Sequence, residues 1–464
     1  MDTTALDQAA ARVPPGGLLV VRGRPRDLAP AGAHLSARLV FKYWIALEHE
    51  GLLLFWKPGG KFHLHTAAAR VPHAHCAACG KTLKDWGGKR HLMNPRGTAL
   101  SDVWRDATPE VVAHRLRALT GNNYTLLNLC HSERSEESLS FPVTTETLCS
   151  AQGDKPELDR VHHADCVSFL DSVPAGSFDL CFADPPYNLA KLYSGYDDAQ
   201  AEHEYLAWCD RWLTGLARAV KPGGSLFVLN LPKWAMHHAV TLNRRLDYRQ
   251  WIVWDALSEP RGKLLPAHYA LLWYTKPGAP PVMNELPPID APKYCLRAGC
   301  IQKRKAAGND DKVPVTNIWW DIHRIRHRRD RDAHPCQLPE KLLERVILLA
   351  SRPGDVVFDP FGGTGTTGLV AKRLGRHYVL TELDPEYVRI ATARLAAPDQ
   401  PRPSVARPRK TESKREVELY LQDLARQLGR RPEETEIAPE MLAKIDRLYP
   451  YRGAALKRCK VAIT

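Results

Sequence analysis

The chain has 464 residues, 25% of them charged, enough for two or three domains. Its net charge of +13 suits a polyanionic partner. The 11 scattered cysteines argue against a disulfide framework, no apolar run is long enough to span a membrane, and Met1-Asp2-Thr3-Thr4 opens without a basic, apolar leader, so a cytoplasmic protein is expected.

The first 120 residues carry half of an internal repeat. Val13-Pro14-Pro15-Gly16-Gly17-Leu18-Leu19-Val20-Val21 matches Val220-Lys221-Pro222-Gly223-Gly224-Ser225-Leu226-Phe227-Val228 at an offset of 207 (224 − 17). The offset still holds at Trp44-Ile45 and Trp251-Ile252 (251 − 44). His49 to Gly59 then matches His268 to Gly278 at 219 (268 − 49), and Trp104-Arg105-Asp106 echoes Trp319-Trp320-Asp321. Residues 1–120 therefore read as a degenerate copy of the back half of a later domain, without that domain's chemical motifs. Cys76-Ala77-Ala78-Cys79-Gly80 is a CxxC knuckle inside the copy. Cys76 and Cys79 are half of a zinc site, which His73, His75 or His91 can complete; two reduced thiols in a turn is the competing reading. Cys295 and Cys300 lie in the corresponding later region at a different spacing. Residues 121–157 are polar and biased in composition, an insert or linker.

Residues 158–397 alternate strand and helix patterns, the mark of a mainly parallel sheet covered on both faces. Phe178 to Ala183 reads as a buried strand and runs into Asp184-Pro185-Pro186-Tyr187-Asn188. Such an edge presents an acid, stiff carbonyl acceptors and a ring that can stack on a base. That set suits the orientation of an exocyclic amino group, whose lone pair is delocalised and poorly nucleophilic. A strand ending in a plain Pro-Pro turn is the bland alternative. Glu204–Val220 reads as a helix stopped by Lys221-Pro222-Gly223-Gly224, and strands are expected at Leu226–Asn230, Trp251–Trp254 and Tyr269–Tyr274. Residues 279–333 break the alternation with a proline-rich start and the basic runs Lys303-Arg304-Lys305 and His323-Arg324-Ile325-Arg326-His327-Arg328-Arg329. Asp355 to Phe361 is then a strand that enters Gly362-Gly363-Thr364-Gly365-Thr366-Thr367, a helix follows, and the next strand ends at Glu382, twenty residues past Gly362 (382 − 362). This is the layout of a nucleoside site with an acid on the ribose, and without a phosphate-loop lysine it disfavours a nucleoside triphosphate. Residues 398–464 are a basic region with helices at Arg415–Leu428 and Ile437–Tyr449.

As a set, these segments resemble the site-specific DNA methyltransferases that act on amino groups, adenine N6 or cytosine N4, in the permuted β class. The resemblance covers about 158–397. It implies a Rossmann-like α/β fold, S-adenosylmethionine as cofactor, and Asp184, Pro185, Pro186 and Tyr187 as the catalytic motif. The cofactor residues it implies are Asp165, Cys166, Asp184, Gln337, Phe358, Asp359, Pro360, Gly362, Gly363, Thr364, Gly365, Thr366 and Glu382. Ala164, Cys336 and Leu338 stand where the family usually has Gly, Thr and Lys. The 279–333 insert is similar to a target-recognition region, so Lys303, Arg304, Arg324, Arg326, Arg328 and Arg329 are expected on DNA, mostly on its backbone. Asp at the first motif position leans toward adenine N6, because cytosine-N4 enzymes more often carry Ser there. Cytosine N4, an RNA methyltransferase and an inactive DNA-binding protein are the other readings. Double-stranded DNA and a cognate restriction endonuclease are the partners implied, zinc a structural addition, and no oligomeric state is readable.

Overall fold

The computed structural model describes residues 3–83, 94–105, 107–129, 155–190, 192–193, 196–256, 268–295, 297–308, 311–322, 338–397, 410–428, 430 and 432–448. They fall into two compact units, Met1–Ala396 and Ala397–Thr464. Among the described residues, no helix is long and apolar enough to cross a membrane.

The larger unit contains two sheets. The first is built from α1 (Thr4–Arg12), β1 (Leu18–Gly23), α2 (Pro25–Ser36), β2 (Val40–Ala46), β3 (Gly51–Trp56), α3 (Pro109–Thr120) and β4 (Tyr124–Asn128), in the strand order β2-β3-β1-β4. The Thr108 hydroxyl caps α3 by accepting the Val111 N–H, and Gly121, at φ 61°, closes its other end.

The second sheet begins with β5 (Arg160–His163), α4 (Cys166–Ser172) and β6 (Phe178–Ala183). A small hairpin of β7 (Leu192–Tyr193) and β8 (Tyr196–Asp197) leads to α5 (Glu202–Ala219), β9 (Val220–Asn230), α6 (Pro232–Leu242), β10 (Asp247–Asp255) and β11 (His268–Thr275). The insert holds β12 (Ile289–Asp290), α7 (Ala298–Ala306), β13 (Lys312–Val313) and β14 (Ile318–Trp319). The chain returns through α8 (Glu340–Ala350), β15 (Val356–Asp359), α9 (Thr366–Arg373), β16 (His377–Glu382) and α10 (Pro385–Ala396). The eight-stranded order is β14-β10-β11-β9-β6-β15-β16-β5; β9, β6, β15, β16 and β5 run parallel, and β11 is antiparallel to both neighbours. Strands such as β6 are nearly all apolar because side chains are buried on both faces. One face packs under α4, α5 and α6 around Trp212, Leu213 and Met236, the other under α8 and α9 around Leu343, Ile347 and Val370.

α5 ends where expected, with Val220 as its C-cap just before Lys221-Pro222-Gly223-Gly224, but that segment is strand rather than a turn. The helix stops at Ala219, and β9 already begins at Val220. Gly223, at φ 77°, sits where an added Cβ would lie 2.7 Å from the Pro280 carbonyl, and its N–H donates to the Lys276 carbonyl, so the segment belongs to the sheet.

The first sheet and β9–β14 are laid out alike. Trp44 pairs with Leu53 and Trp251 with Leu272; Leu18 pairs with Trp56 and Ser225 with Thr275. Both β2 and β10 shift register at one place, Phe41/Tyr43 and Tyr248/Gln250, which are 207 apart (248 − 41 and 250 − 43). The Ala46 N–H reaches the Asp102 carbonyl as the Val253 N–H reaches that of Asn317. The Arg115 guanidinium lies over Trp104, as Arg345 lies over Trp319. The likeness ends at β4, which lies beside β1 in the place that β6 takes beside β9. The smaller unit pairs α11 (Lys410–Leu428) with α12 (Pro439–Leu448); Val417, Leu421 and Ala425, one helical turn apart, close on Ile437, Met441 and Ile445.

Candidate active site

The site lies where the chain order of the sheet reverses. From β6 the chain crosses to β9 on one side; from β15 it crosses to β16 on the other. β6 and β15 are adjacent and parallel, with Leu180 opposite Val357 and Cys181 opposite Phe358. Asp184-Pro185-Pro186-Tyr187 and Pro360 to Gly365 therefore leave the same edge side by side, at the switch point where open α/β sheets hold ligands.

The proline turn is braced from three sides. The Tyr205 hydroxyl donates to the Pro186 carbonyl at 2.7 Å, and the Trp234 indole N–H to the Tyr187 carbonyl at 2.8 Å. Asp198, buried, accepts the Asn188 and Leu189 N–H groups, and Asn188 exchanges two hydrogen bonds with the Gln200 backbone. Asn188 and Ala190 are held at φ 53° and 55°, in the left-handed region that non-glycine residues seldom visit. The Tyr187 hydroxyl donates to Asp184 Oδ1 at 2.5 Å, and its ring lies 5.8 Å from that of Tyr269, which stacks on Trp254. None of the bracing residues Tyr205, Asp198, Trp234 and Tyr269 belongs to a sequence motif; only the strand and helix patterns around them were readable.

The glycine turn is shaped by close packing. Gly365 caps α9 at φ 80°, and a Cβ there would meet the Ala391 Cβ at 3.1 Å. The Gly363 N–H donates to Glu382 Oε2, and Glu382 Oε1 accepts the Asp384 N–H, so the acid is fixed beside the turn with lone pairs to spare. Burial raises the Glu382 carboxyl, against the pull of those N–H donors. Burial also pushes the Asp359 carboxyl up to about 7, although it accepts the Thr367 hydroxyl at 2.5 Å and the Phe361 N–H at 2.9 Å. β5 pairs with β16, so His163 stands opposite Glu382 and Ala164 donates its N–H to the Glu382 carbonyl.

Residues 178–393 match the family model described as DNA methylase, of N6/N4 methyltransferases. Type II methyltransferase M.BamHI of Bacillus amyloliquefaciens is 37% identical over 236 residues, 49% of this chain and 55% of that protein. The chain thus spans little more than half the length of M.BamHI. DNA adenine methyltransferase YhdJ of Escherichia coli K12 is 31% identical over 256 residues, which cover 52% of this chain and 83% of YhdJ. The chain belongs to the N6/N4 DNA methylase family. Among solved structures, the cytosine-N4-specific PvuII DNA methyltransferase aligns at 23% identity and a TM-score of 0.38, over 52% of this chain and 86% of that one.

Within this N6/N4 methylase, several of the residues expected at the cofactor also make framework contacts. The Cys166 side chain, in the first turn of α4, is buried in the core, and burial pushes its thiol up to about 12. Asp165 caps that helix by accepting the Ser168 N–H. Phe358 is wholly buried and stacks on Phe178, with centroids 4.3 Å apart. Buried Thr366 accepts from Arg394, which also reaches the carbonyl of buried Thr364, and the Pro360 carbonyl accepts the Thr381 hydroxyl. Arg304 is a correction to the DNA-contacting set: its side chain is 2% exposed, pairs with Asp290 at 2.9 Å and lies over the Tyr294 ring at 4.2 Å. A guanidinium so enclosed holds the insert together and cannot reach a phosphate. Lys303 is exposed on the same helix. Arg324, Arg326, Arg328, Arg329, Gln337 and His91 lie outside the described residues.

Proposed function

We propose that the chain methylates an exocyclic amino group of a base in double-stranded DNA, adenine N6 by preference, with S-adenosylmethionine as donor. The observation that carries this reading is the emergence of the Asp184 turn and the glycine turn from neighbouring parallel strands at the switch point. The chemistry of the side chains fits the donor. Asp184, Asp359 and Glu382 lie at the same edge of β6, β15 and β16, and the glycine turn Gly362–Thr367 carries no lysine or arginine. Such an acidic edge suits a cationic nucleoside and opposes a polyphosphate.

S-adenosylmethionine, when bound, supplies an electrophilic methyl group. The protein's task is to present the amine. Asp184 accepts one amine hydrogen and the Pro185 carbonyl the other, which turns the nitrogen lone pair away from the ring. Both acceptors stabilise the positive charge that grows on nitrogen, and the surplus proton leaves by way of Asp184 Oδ1. Positioning and preorganised acceptors supply most of the rate. The Tyr187 hydroxyl occupies Asp184 in the free protein, so the ring must release the acid as it turns to stack on the extruded base. Adenine N6 rests on Asp184 at the head of the motif and on the likeness to YhdJ. The exposed basic residues of the insert serve the DNA backbone in this reading, and residues 1–120 are a catalytically silent copy of the back half.

The test is methylome sequencing of a methylation-free bacterial host that expresses the chain, with Asp184→Ala as control. Modified adenines at one motif, absent in the variant, are expected. Modified cytosines would move the target to N4. DNA left unmodified by well-folded protein would overturn the reading in favour of RNA or of an inactive binder.

A further inference from the structure

Cys76 and Cys79 come from the knuckle of the first sheet's lobe, Cys295 and Cys300 from the insert of the second. Their four sulfur atoms lie within 4.8 Å of one another. Cys76 Sγ is 3.8 Å from Cys300 Sγ, and Cys79 Sγ is 3.7 Å from Cys295 Sγ. Disulfide sulfurs sit about 2.05 Å apart, so these are not bridges. A tetrahedral zinc with four thiolates at about 2.3 Å has sulfur–sulfur edges of about 3.8 Å. The spacings, C-x2-C and C-x4-C, fall in the range that wraps one ion.

The surroundings are those of a ligand cage. Gly80 turns the knuckle at φ 64°, with its N–H on the Cys76 carbonyl. The Cys295 N–H points at Cys76 Sγ at 3.4 Å, the kind of donor that steadies a thiolate. The Ala77 N–H bonds the Lys293 carbonyl, and Arg297 bonds the Thr82 carbonyl, so knuckle and insert meet at this point. Among the described residues the four cysteines group without a histidine, and His73 contacts the Asn94 carbonyl instead. The buried core here is Cys76, Ala291, Tyr294, Cys295 and Cys300. Three of five members are cysteines, and so small an apolar cluster is too little to order two loops unaided.

The position is also singular. Cys76 and Cys295 are 219 apart (295 − 76), the offset at which His49–Gly59 matches His268–Gly278. Trp44 and Trp251, 207 apart, stack with centroids 3.9 Å apart and planes 7° from parallel. Helix α2 packs on α6 and β10, and α6 packs on α2 and β2. In an isologous pairing, only residues near the axis touch their own counterparts. The cysteine cluster therefore sits across the pseudo-twofold contact between the two halves.

We propose that Cys76, Cys79, Cys295 and Cys300 bind one structural zinc ion that fastens the catalytically silent half to the insert of the catalytic half. The ion orders β12, α7 and β13 and so sets where the insert's exposed face stands. This holds whichever base is modified. Thiolate sulfur in a four-coordinate cage selects zinc over the harder divalent ions.

The full chain, purified without chelators from zinc-supplemented cells, is analysed for metals by mass spectrometry. About one zinc per chain is expected, with all four thiols protected from alkylation. Cys79→Ser and Cys300→Ser should each lower zinc at least tenfold, while Cys149→Ser retains it. Cobalt-exchanged protein should show the ligand-field bands of a tetrahedral all-sulfur site. Chelation should speed hydrogen exchange across 289–313 and leave β6 and β15 protected. Metal-free wild-type protein that is folded, iron in place of zinc, or zinc undiminished in Cys300→Ser would each overturn the site. Unchanged exchange in 289–313 after zinc removal would overturn its bracing role. The metal and alkylation measurements use the wild-type chain and decide the site even where a substituted chain fails to fold.

Discussion

Asp359→Asn separates what the site needs from what the fold prefers. Asp359 is 3% exposed, and burial pushes its carboxyl up to about 7. In the unfolded chain it titrates near 3.9, as an ordinary aspartate does. Between about pH 4 and 7 the folded protein therefore holds a proton that the unfolded chain has given up. Folding stability must fall as pH rises through that window. At about 1.4 kcal/mol per unit, roughly three units correspond to about 4 kcal/mol lost by pH 8. Asparagine keeps an oxygen for the Phe361 N–H and can donate to the Thr367 hydroxyl, so the local bonds survive. The variant should match the wild type near pH 4 and exceed it by about 1–4 kcal/mol at pH 8, after some loss of charge-assisted bonding. Urea unfolding of the ligand-free protein, followed by circular dichroism at pH 5 and pH 8, measures this. At pH 8, where Asp359 is ionised, the same variant should bind S-adenosylmethionine at least tenfold more weakly by calorimetry, because the acidic edge loses a charge. A stability deficit equal at both pH values, or an unchanged fall with pH, would refute the account of Asp359.

Trp44→Ala and Trp251→Ala each remove a fully buried ring and should each cost about 3–5 kcal/mol. A double-mutant cycle on unfolding midpoints should return a coupling of about 0.5–1.5 kcal/mol from the stack alone; additivity within error would show that the two halves do not support each other there. On the insert, Arg304→Ala removes a buried guanidinium and its stack on Tyr294 but leaves Asp290 paired with Lys312, and should destabilise by about 1–3 kcal/mol. Lys303→Ala should leave the melting temperature in place and lower the salt dependence of DNA binding by about one counterion. A reversal of those two effects would place Arg304, not Lys303, against DNA.

Much of the molecule was legible in its residues. Phe178-Asp179-Leu180-Cys181-Phe182-Ala183 announces a strand buried on both faces, because apolar side chains at successive positions need cover above and below. The glycine run between Asp359 and Thr366 announces a strand-to-helix turn, because only glycine accepts φ 80° with a neighbouring helix at 3.1 Å. The matched offsets of 207 and 219 fall on strands with like pairing, Trp44 opposite Leu53 and Trp251 opposite Leu272. What residues alone could not decide was what becomes a neighbour. Cys76 and Cys295 are far apart along the chain, and only the meeting of the two lobes brings the four sulfurs together. Arg304 sits in a basic run that reads as solvated, yet Asp290 and Tyr294 enclose it. The braces on the proline turn come from Asp198, Tyr205 and Trp234, side chains with no motif around them. Local pattern reflects each segment's own backbone and burial preferences, whereas metal cages, ion pairs and braced turns are made by contacts between distant segments, and those exist only once the sheet has set its strand order.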